Sequence, residues 1–346
     1  MIQMKKITVR TIGLSLLATT LLAACGNGST SDSSESGKTA GKEFKVGMVT
    51  DLGSVNDKSF NQSAWEGLQK LQADFGYDVK YLEPQSDAEV EPSLLQFVNS
   101  GTDLTWATAA TLADAVTNIA KNNPDAKLGI VDSDIEGIDN IVSISFKENE
   151  GAFLAGIVAA SMSETDKVGF IGGMEIPVIQ RFQAGFEAGV REINPDAEIV
   201  VNYAGVFNRV DIGKSAASTM YNDGVDVIFH AAGGTGNGIF NEAQERFKAG
   251  EKVWVIGVDK DQSLEFGNDV TLTSMIKNVD TAVYEISKQA ADGAFPGGQV
   301  VRLGLAENGV GLADTSDINV PKEVLDVVES YKEKIISGEI TVPEQP

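Results

Sequence analysis

KVGMVTDLGSVNDKSFNQSAWEGLQKLQADF, residues 45–75, reads as a strand, a polar loop and a helix in that order. Lys45–Thr50 is a short run rich in β-branched residues. Phe60, Ala64, Trp65, Leu68, Leu71 and Phe75 then recur at helical spacing on one face. The same alternation continues along the chain. Strands are predicted at Asp78–Leu82, Leu104–Ala107, Lys127–Val131, Val168–Ile171, Ile199–Tyr203, Val225–Phe229 and Val253–Val258, with helical segments between them. Pro321 opens a terminal helix that Gly338 closes. Strands alternating with amphipathic helices signal βαβ units, an α/β fold and parallel sheets.

The two halves echo each other. Val46-Gly47-Met48-Val49 is followed by Phe60 and Gly67, and Val168-Gly169-Phe170-Ile171 by Phe182 and Gly189, with the same offset of 122 throughout. Val79 and Tyr81 map to Val201 and Tyr203 at that offset, and IVDSD at 130–134 matches GVDKD at 257–261 after a slightly larger shift. An internal duplication gives two similar doubly wound lobes facing each other. Ligands of open parallel sheets bind beyond the carboxyl ends of the strands, so the repeated D-x-D would stand on opposite walls of a cleft.

Ahead of this body, Lys5, Lys6 and Arg10 precede an apolar run, Ile12–Leu22, that ends in Ala23, Ala24 and Cys25. That order is a secretory signal, too short for a span of about 20 apolar residues. Leu22-Ala23-Ala24-Cys25 resembles a bacterial lipobox, in which the cysteine is diacylated and becomes the first residue of the mature protein. Cys25 is the only cysteine in 346 residues, so no internal disulfide is possible. Two acyl chains anchor stably where one does not. Residues 26–41, GNGSTSDSSESGKTAG, have no large apolar side chain and read as a flexible linker, with folding expected from Glu43.

Removal of residues 1–24 takes away three positive charges and no negative ones, shifting the formal charge from −23 to −26. Such a surface repels nucleic acid and anionic lipid, so no nucleic-acid partner is expected. Catalytic options are few. The chain has one histidine, His230, no cysteine after Cys25, and no G-x-S-x-G, HExxH or Walker loop. A catalytic triad, a histidine-rich metal site and a cofactor site are not expected. His230 ends a predicted strand in VIFHAAGG, either as a ligand contact or as a satisfied interior histidine. Asp132 and Asp259 are the one carboxylate pair that a glycoside hydrolase could use.

Two loops stand out. Gly233-Gly234-Thr235-Gly236-Asn237-Gly238 lies between strand and helix, either to bring backbone N–H groups to a ligand or only to make a tight turn. It is not the dinucleotide fingerprint, because Ile239 takes the place of the third glycine. The loop from Thr50 to Gln62 is polar and longer than a minimal turn. Asp51 directly follows the strand; Asn56 or Asp57 suits a helix cap. Periodicity alone puts Phe60 in the core stripe of the helix.

VGMVTDLGSVNDKSFNQSAWEGL at 46–68, GFIGGMEIPVIQRFQAGFEAGV at 169–190, YAGVFNRVDIGKSAA at 203–217, AAGGTGNGIFNEA at 231–243 and VIGVDKDQ at 255–262 resemble, in order, the blocks of the basic membrane lipoprotein family, the relatives of purine nucleoside receptor A. With the lipobox they cover nearly the whole chain. The resemblance implies a type I periplasmic-binding-protein fold, two lobes joined by three hinge crossings, with a purine nucleoside closed between them for delivery to an ABC permease. It implies that Asp51 and Asn61 read the base edge, Phe60 and Phe207 clamp its faces, Asp259 takes the ribose hydroxyls, Lys277 is a second ribose contact and Gly234 a backbone contact. Asp132 is a weaker candidate for the opposing wall and could instead brace the hinge. TWATAATLADA at 105–115 departs from the glycine- and aromatic-rich wall expected there.

The expected organisation is a signal peptide at 1–24, lipidated Cys25 and linker to 42, lobe 1 at 43–146 plus about 275–300, and lobe 2 at 147–274 plus about 301–346. Crossings are placed near Phe146 and Met275, with a third before the terminal helix. A non-enzymatic receptor for adenosine, guanosine or inosine on the outer face of the cell membrane is the leading reading. A sugar receptor of the same fold, a glycoside or nucleoside hydrolase, and an adhesive or sensory lipoprotein without a ligand cleft are the alternatives.

Overall fold

A computed structural model describes residues 43–346. The signal peptide, Cys25 and the linker lie outside the described residues. The first half alternates β1 (Lys45–Thr50), α1 (Phe60–Phe75), β2 (Asp78–Leu82), α2 (Asp87–Asn99), β3 (Leu104–Thr108), α3 (Ala113–Asn122), β4 (Leu128–Val131) and β5 (Ile141–Phe146). The second runs α4 (Glu148–Met162), β6 (Lys167–Gly172), α5 (Pro177–Ile193), β7 (Glu198–Tyr203), α6 (Val210–Asn222), β8 (Val227–Ala231), α7 (Gly236–Lys248), β9 (Trp254–Asp259), α8 (Ser263–Phe266) and β10 (Thr271–Lys277). The chain ends with α9 (Val279–Ala291), β11 (Val300–Leu303), β12 (Val310–Leu312) and α10 (Lys322–Ile336).

One sheet has the order β2-β1-β3-β4-β5-β11 and is wholly parallel; the other has the order β7-β6-β8-β9-β10-β12. The first five places are equivalent, and only β12 runs antiparallel to its neighbour. These are the two doubly wound lobes that the repeat led one to expect. Helices cover both faces of each sheet, so the central strands are apolar throughout rather than alternating.

The chain passes between lobes at Lys147, at Asn278 and between Leu303 and Val310. Two expected boundaries therefore shift. β10 continues to Lys277 because it pairs with β9 and β12, not ending near 275. The last strand of lobe 1 reaches Leu303 because β11 pairs with β5, past the expected 300. The strand expected at Val225–Phe229 runs instead over Val227–Ala231, after a turn at Asp223–Gly224.

Each lobe accepts the crossing helix that follows the other lobe's fifth strand, α9 after β10 against α1 and α4 after β5 against α5. Both contacts need glycine. A Cβ on Gly67 would stand 2.2 Å from the Asp280 carbonyl oxygen, and one on Gly189 2.0 Å from that of Phe153. These two glycines are the pair related by 122. Phe44, Met48, Trp106, Phe170, Phe186 and Phe229 belong to one buried cluster that runs through both lobes, and a smaller cluster lies on the outer face of each sheet. Among the described residues no helix is long and apolar enough to cross a membrane.

Candidate functional site

The carboxyl ends of both sheets meet around a cavity lined by residues of both lobes. Asp51, Phe60, Asn61, Asp132, Phe207, Gly234, Asp259 and Lys277 all line it. Asp51 leaves β1, Phe60 and Asn61 open α1, Asp132 leaves β4, and Asp259 and Lys277 end β9 and β10. Phe207 lies between β7 and α6, and Gly234 in the turn before α7.

One polar group comes from lobe 1. Asn61 Nδ2 donates to Asp51 Oδ1 at 2.9 Å and to Asp57 Oδ2 at 3.1 Å, while Thr108 Oγ1 donates to Asn61 Oδ1 at 3.0 Å. The Gly53 N–H donates to Asp51 Oδ1 at 2.7 Å, which leaves Asp51 Oδ2 without a protein donor among the described residues. Asp57 accepts from the N–H groups of Ser59, Asn61 and Gln62, so it caps α1 as read from the sequence. It also lines the cavity, a role its capping position concealed. Burial pushes the Asp57 carboxyl up to about 6 against these hydrogen bonds, and burial raises Asp51 as well.

A second group spans the lobes. Lys277 Nζ stands 2.6 Å from Asp132 Oδ1 and 3.0 Å from Glu148 Oε1, and Arg181 Nε donates to Glu148 Oε2 at 2.7 Å. Burial alone would discharge Lys277, but Asp132, Glu148 and Asp259 reverse the effect and hold it cationic. Phe60, Phe146 and Phe182 place their ring centroids 5.0–5.6 Å from the same ammonium. Ser59 Oγ donates to Asp259 Oδ2. Burial raises the Asp259 carboxyl to about 7, opposed by Lys277 and Ser59 and reinforced by Asp57 and Asp132. Lys277 is thus engaged by a carboxylate from each lobe, Asp132 and Glu148, while Asp132 also lines the cavity.

Phe207 lies over Gly173, where a Cβ would sit 2.1 Å from the ring. Phe182 lines the cavity too, and sequence reading did not nominate it although the offset of 122 relates it to Phe60. Ile176, Val178 and Ile179, around the first turn of α5, complete an apolar wall for which the sequence carried no sign. Ala109, Ala110 and Thr111 also face the cavity, so the segment that departs from family expectation is a wall of small side chains. His230 is fully buried in β8, bonded to Gln262, outside the cavity lining. Burial lowers its ring to about 4, opposed by that hydrogen bond, so it is neutral. Among the described residues no group of histidine, cysteine and carboxylate side chains has metal-ligating proximity.

The lobes touch across the mouth. Asn208 Nδ2 donates to the Leu52 carbonyl at 2.8 Å, Gln262 Nε2 to the Lys58 carbonyl at 2.9 Å, and Lys260 Nζ to Glu66 Oε1 at 2.6 Å. These bonds hold the two lobes against each other beside the cavity.

The fold and sequence are shared with known proteins. A CD4+ T-cell-stimulating antigen of Listeria monocytogenes is 47% identical over 343 residues, spanning 94% of this chain and 95% of the relative. An ABC transporter nucleoside-binding protein BmpA of Lactococcus lactis is 39% identical over 98% of this chain and 99% of its own length. A solved ABC solute-binding protein of Aeropyrum pernix K1 superposes with a TM-score of 0.80 at 31% identity, covering 87% of this chain and 94% of that one. The family model for PnrA-like ABC transporter substrate-binding proteins matches residues 44–346, and the chain belongs to that family, Bmp.

Proposed function

We propose that this chain captures a purine nucleoside between its lobes and, held to the outer face of the cell membrane by lipid on Cys25, presents it to an ABC permease. Substrate-binding proteins of ABC transporters act with a membrane permease on a small-molecule ligand, and the family is one of binders rather than enzymes. The observation that carries the nucleoside reading is the joint lining of one cavity by phenyl rings from both lobes, an amide–carboxylate pair and a second carboxylate from the other lobe. Phe60 and Phe207 stack on the base. Asp51, with one oxygen free, and Asn61 accept from its edge. Asp259 accepts from the ribose hydroxyls, since one carboxylate can serve two adjacent donors. Gly234 offers its backbone. Lys277 neutralises the carboxylates around the sugar and stays within reach of it.

The balance of charge favours an uncharged ligand. Asp51, Asp57, Asp132 and Asp259 line the cavity with Lys277 as the one cationic side chain among its lining residues, already engaged by Asp132, so the lining offers a phosphate no free cation. The Lactococcus relative's name points to the same ligand class.

Thermal unfolding of residues 27–346 against adenosine, guanosine, inosine, cytidine, free bases and ribose tests this reading, with Asp259→Ala alongside. A ligand at about 100 times its Kd adds roughly 2.7 kcal/mol. Shifts by purine nucleosides alone, absent in the variant, are expected. A shift by ribose or another free sugar alone would move the ligand to that class, and release of free base from a nucleoside would make the protein a hydrolase. The anchor has its own test: Cys25→Ser releases the protein from the membrane fraction.

A further inference from the structure

Gln262 is fully buried in lobe 2, immediately before α8. The Val258 N–H can only donate, and it meets Oε1 at 3.0 Å; the Lys58 carbonyl can only accept, and it meets Nε2 at 2.9 Å. Two backbone groups from different lobes therefore fix which way the amide points. His230 Nε2 lies 2.9 Å from the same Oε1 and must donate to it, which assigns the Nε2–H tautomer and leaves Nδ1 bare. Both side chains sit in space that only glycine leaves free. A Cβ at Gly236 would stand 2.2 Å from the imidazole, and one at Gly257 2.7 Å from Gln262 Oε1.

What the amide holds is the loop that carries Asp51, Asp57, Phe60 and Asn61 to the cavity. Lys58 has a left-handed φ of 61°, and the next residue, Ser59, donates to Asp259. Neither Gln262 nor His230 lines the cavity. We propose that Gln262 is the latch that holds the lobe 1 loop closed on lobe 2. The latch rests on the chain's being a two-lobed receptor and not on which solute it takes.

The test uses the full chain in detergent, with adenosine as probe, and compares wild type with Gln262→Met. Methionine keeps the volume and has no donor. Adenosine dissociation is expected to rise about tenfold with association within about twofold, since affinity within one site is set mainly by the off-rate. Amide hydrogen exchange is expected to rise in residues 52–60 of the ligand-free chain and to stay unchanged in α10. Wild-type dissociation together with wild-type exchange in the loop overturns the latch, and so does a rise spread evenly over both lobes, which marks general destabilisation. If Gln262→Met does not fold, Gln262→Glu at pH 8 replaces it, keeping both acceptor bonds and losing the donor. If the wild type does not bind adenosine, the nucleoside reading fails alone and loop exchange decides the latch.

Discussion

Asp132 and Asp259 stand at the ends of equivalent strands, one in each lobe, with the same left-handed φ of 66°. Aspartate tolerates that region better than most residues, but the conformation is uncommon outside glycine. Its appearance twice, both times at the cavity, marks a duplicated device that brings a carboxylate to the cleft from each wall. The copies have diverged in their partners: Asp132 takes the Lys277 ammonium, and Asp259 takes only the Ser59 hydroxyl.

Lys277 is held by Asp132 and Glu148, all three at least nine-tenths buried. Removing one partner from such a group strands the others, at a cost of about 3–5 kcal/mol. Lys277→Met is expected to lose that much in urea unfolding of the ligand-free protein. In the Lys277→Met background Asp132→Asn is expected to cost less than in wild type, with a coupling of about 1–3 kcal/mol. Additive costs would show that the two side chains do not interact energetically.

Phe60→Ala and Phe207→Ala are each expected to weaken nucleoside binding by about 1–3 kcal/mol, roughly 5- to 150-fold in Kd. Titration calorimetry with adenosine reads this directly. Phe60 and Phe207 are both only half-buried, so each ring keeps a face for a ligand. An affinity that survives both substitutions would exclude stacking as the means of holding the base.

The lobes, their repeat and the placing of Asp51 and Asp259 at strand ends were legible because local signals carry them: β-branched runs, helical periodicity and a constant offset. Four strands, β5, β10, β11 and β12, were not read as strands. β11 and β12 are only four and three residues long and exist because they pair across the chain with β5 and β10, which no local pattern reports. Among site residues, Phe182 was within reach of the repeat and Asp57 was hidden behind its capping role. The pairing of Lys277 with Glu148 follows from where two crossings meet and has no signature in spacing. His230 shows the opposite limit: its burial was foreseeable, its bond to Gln262 was not.

Gly189 tests the exchange of crossing helices between the lobes. Gly189→Ala forces a methyl into the Phe153 carbonyl oxygen, 2.0 Å away, and backbone cannot yield as a side-chain tip can. Overpacking of this kind costs about 1–3 kcal/mol. The equivalent Gly67→Ala, against Asp280, is expected to cost a similar amount. Melting midpoints that fall for both variants support the shared packing; a change confined to one would show that the lobes do not share it.

Asp259 supplies the sharpest test because stability and binding pull it in opposite directions. Its carboxyl rises from an ordinary 3.8 to about 7, chiefly through burial, so the folded ligand-free protein holds this proton more tightly than the unfolded chain does. The contribution to stability is fully present below about pH 4 and is lost as the pH climbs towards 7. Above that the buried charge costs on the order of 4 kcal/mol at most. Asp259→Asn removes the charge, so its melting midpoint is expected above that of wild type at pH 8, with the gap closing towards pH 4. Nucleoside affinity is expected to fall in the same variant. Ribose hydroxyls donate to the charged carboxylate and favour it, so binding at pH 6 to 7 must release a proton. Calorimetry in buffers of different ionisation enthalpy reads that proton. A binding heat independent of buffer, with Asp259→Asn no more stable than wild type at pH 8, would mean that Lys277 and Ser59 already satisfy the carboxylate and that the ligand meets it as an anion from the start.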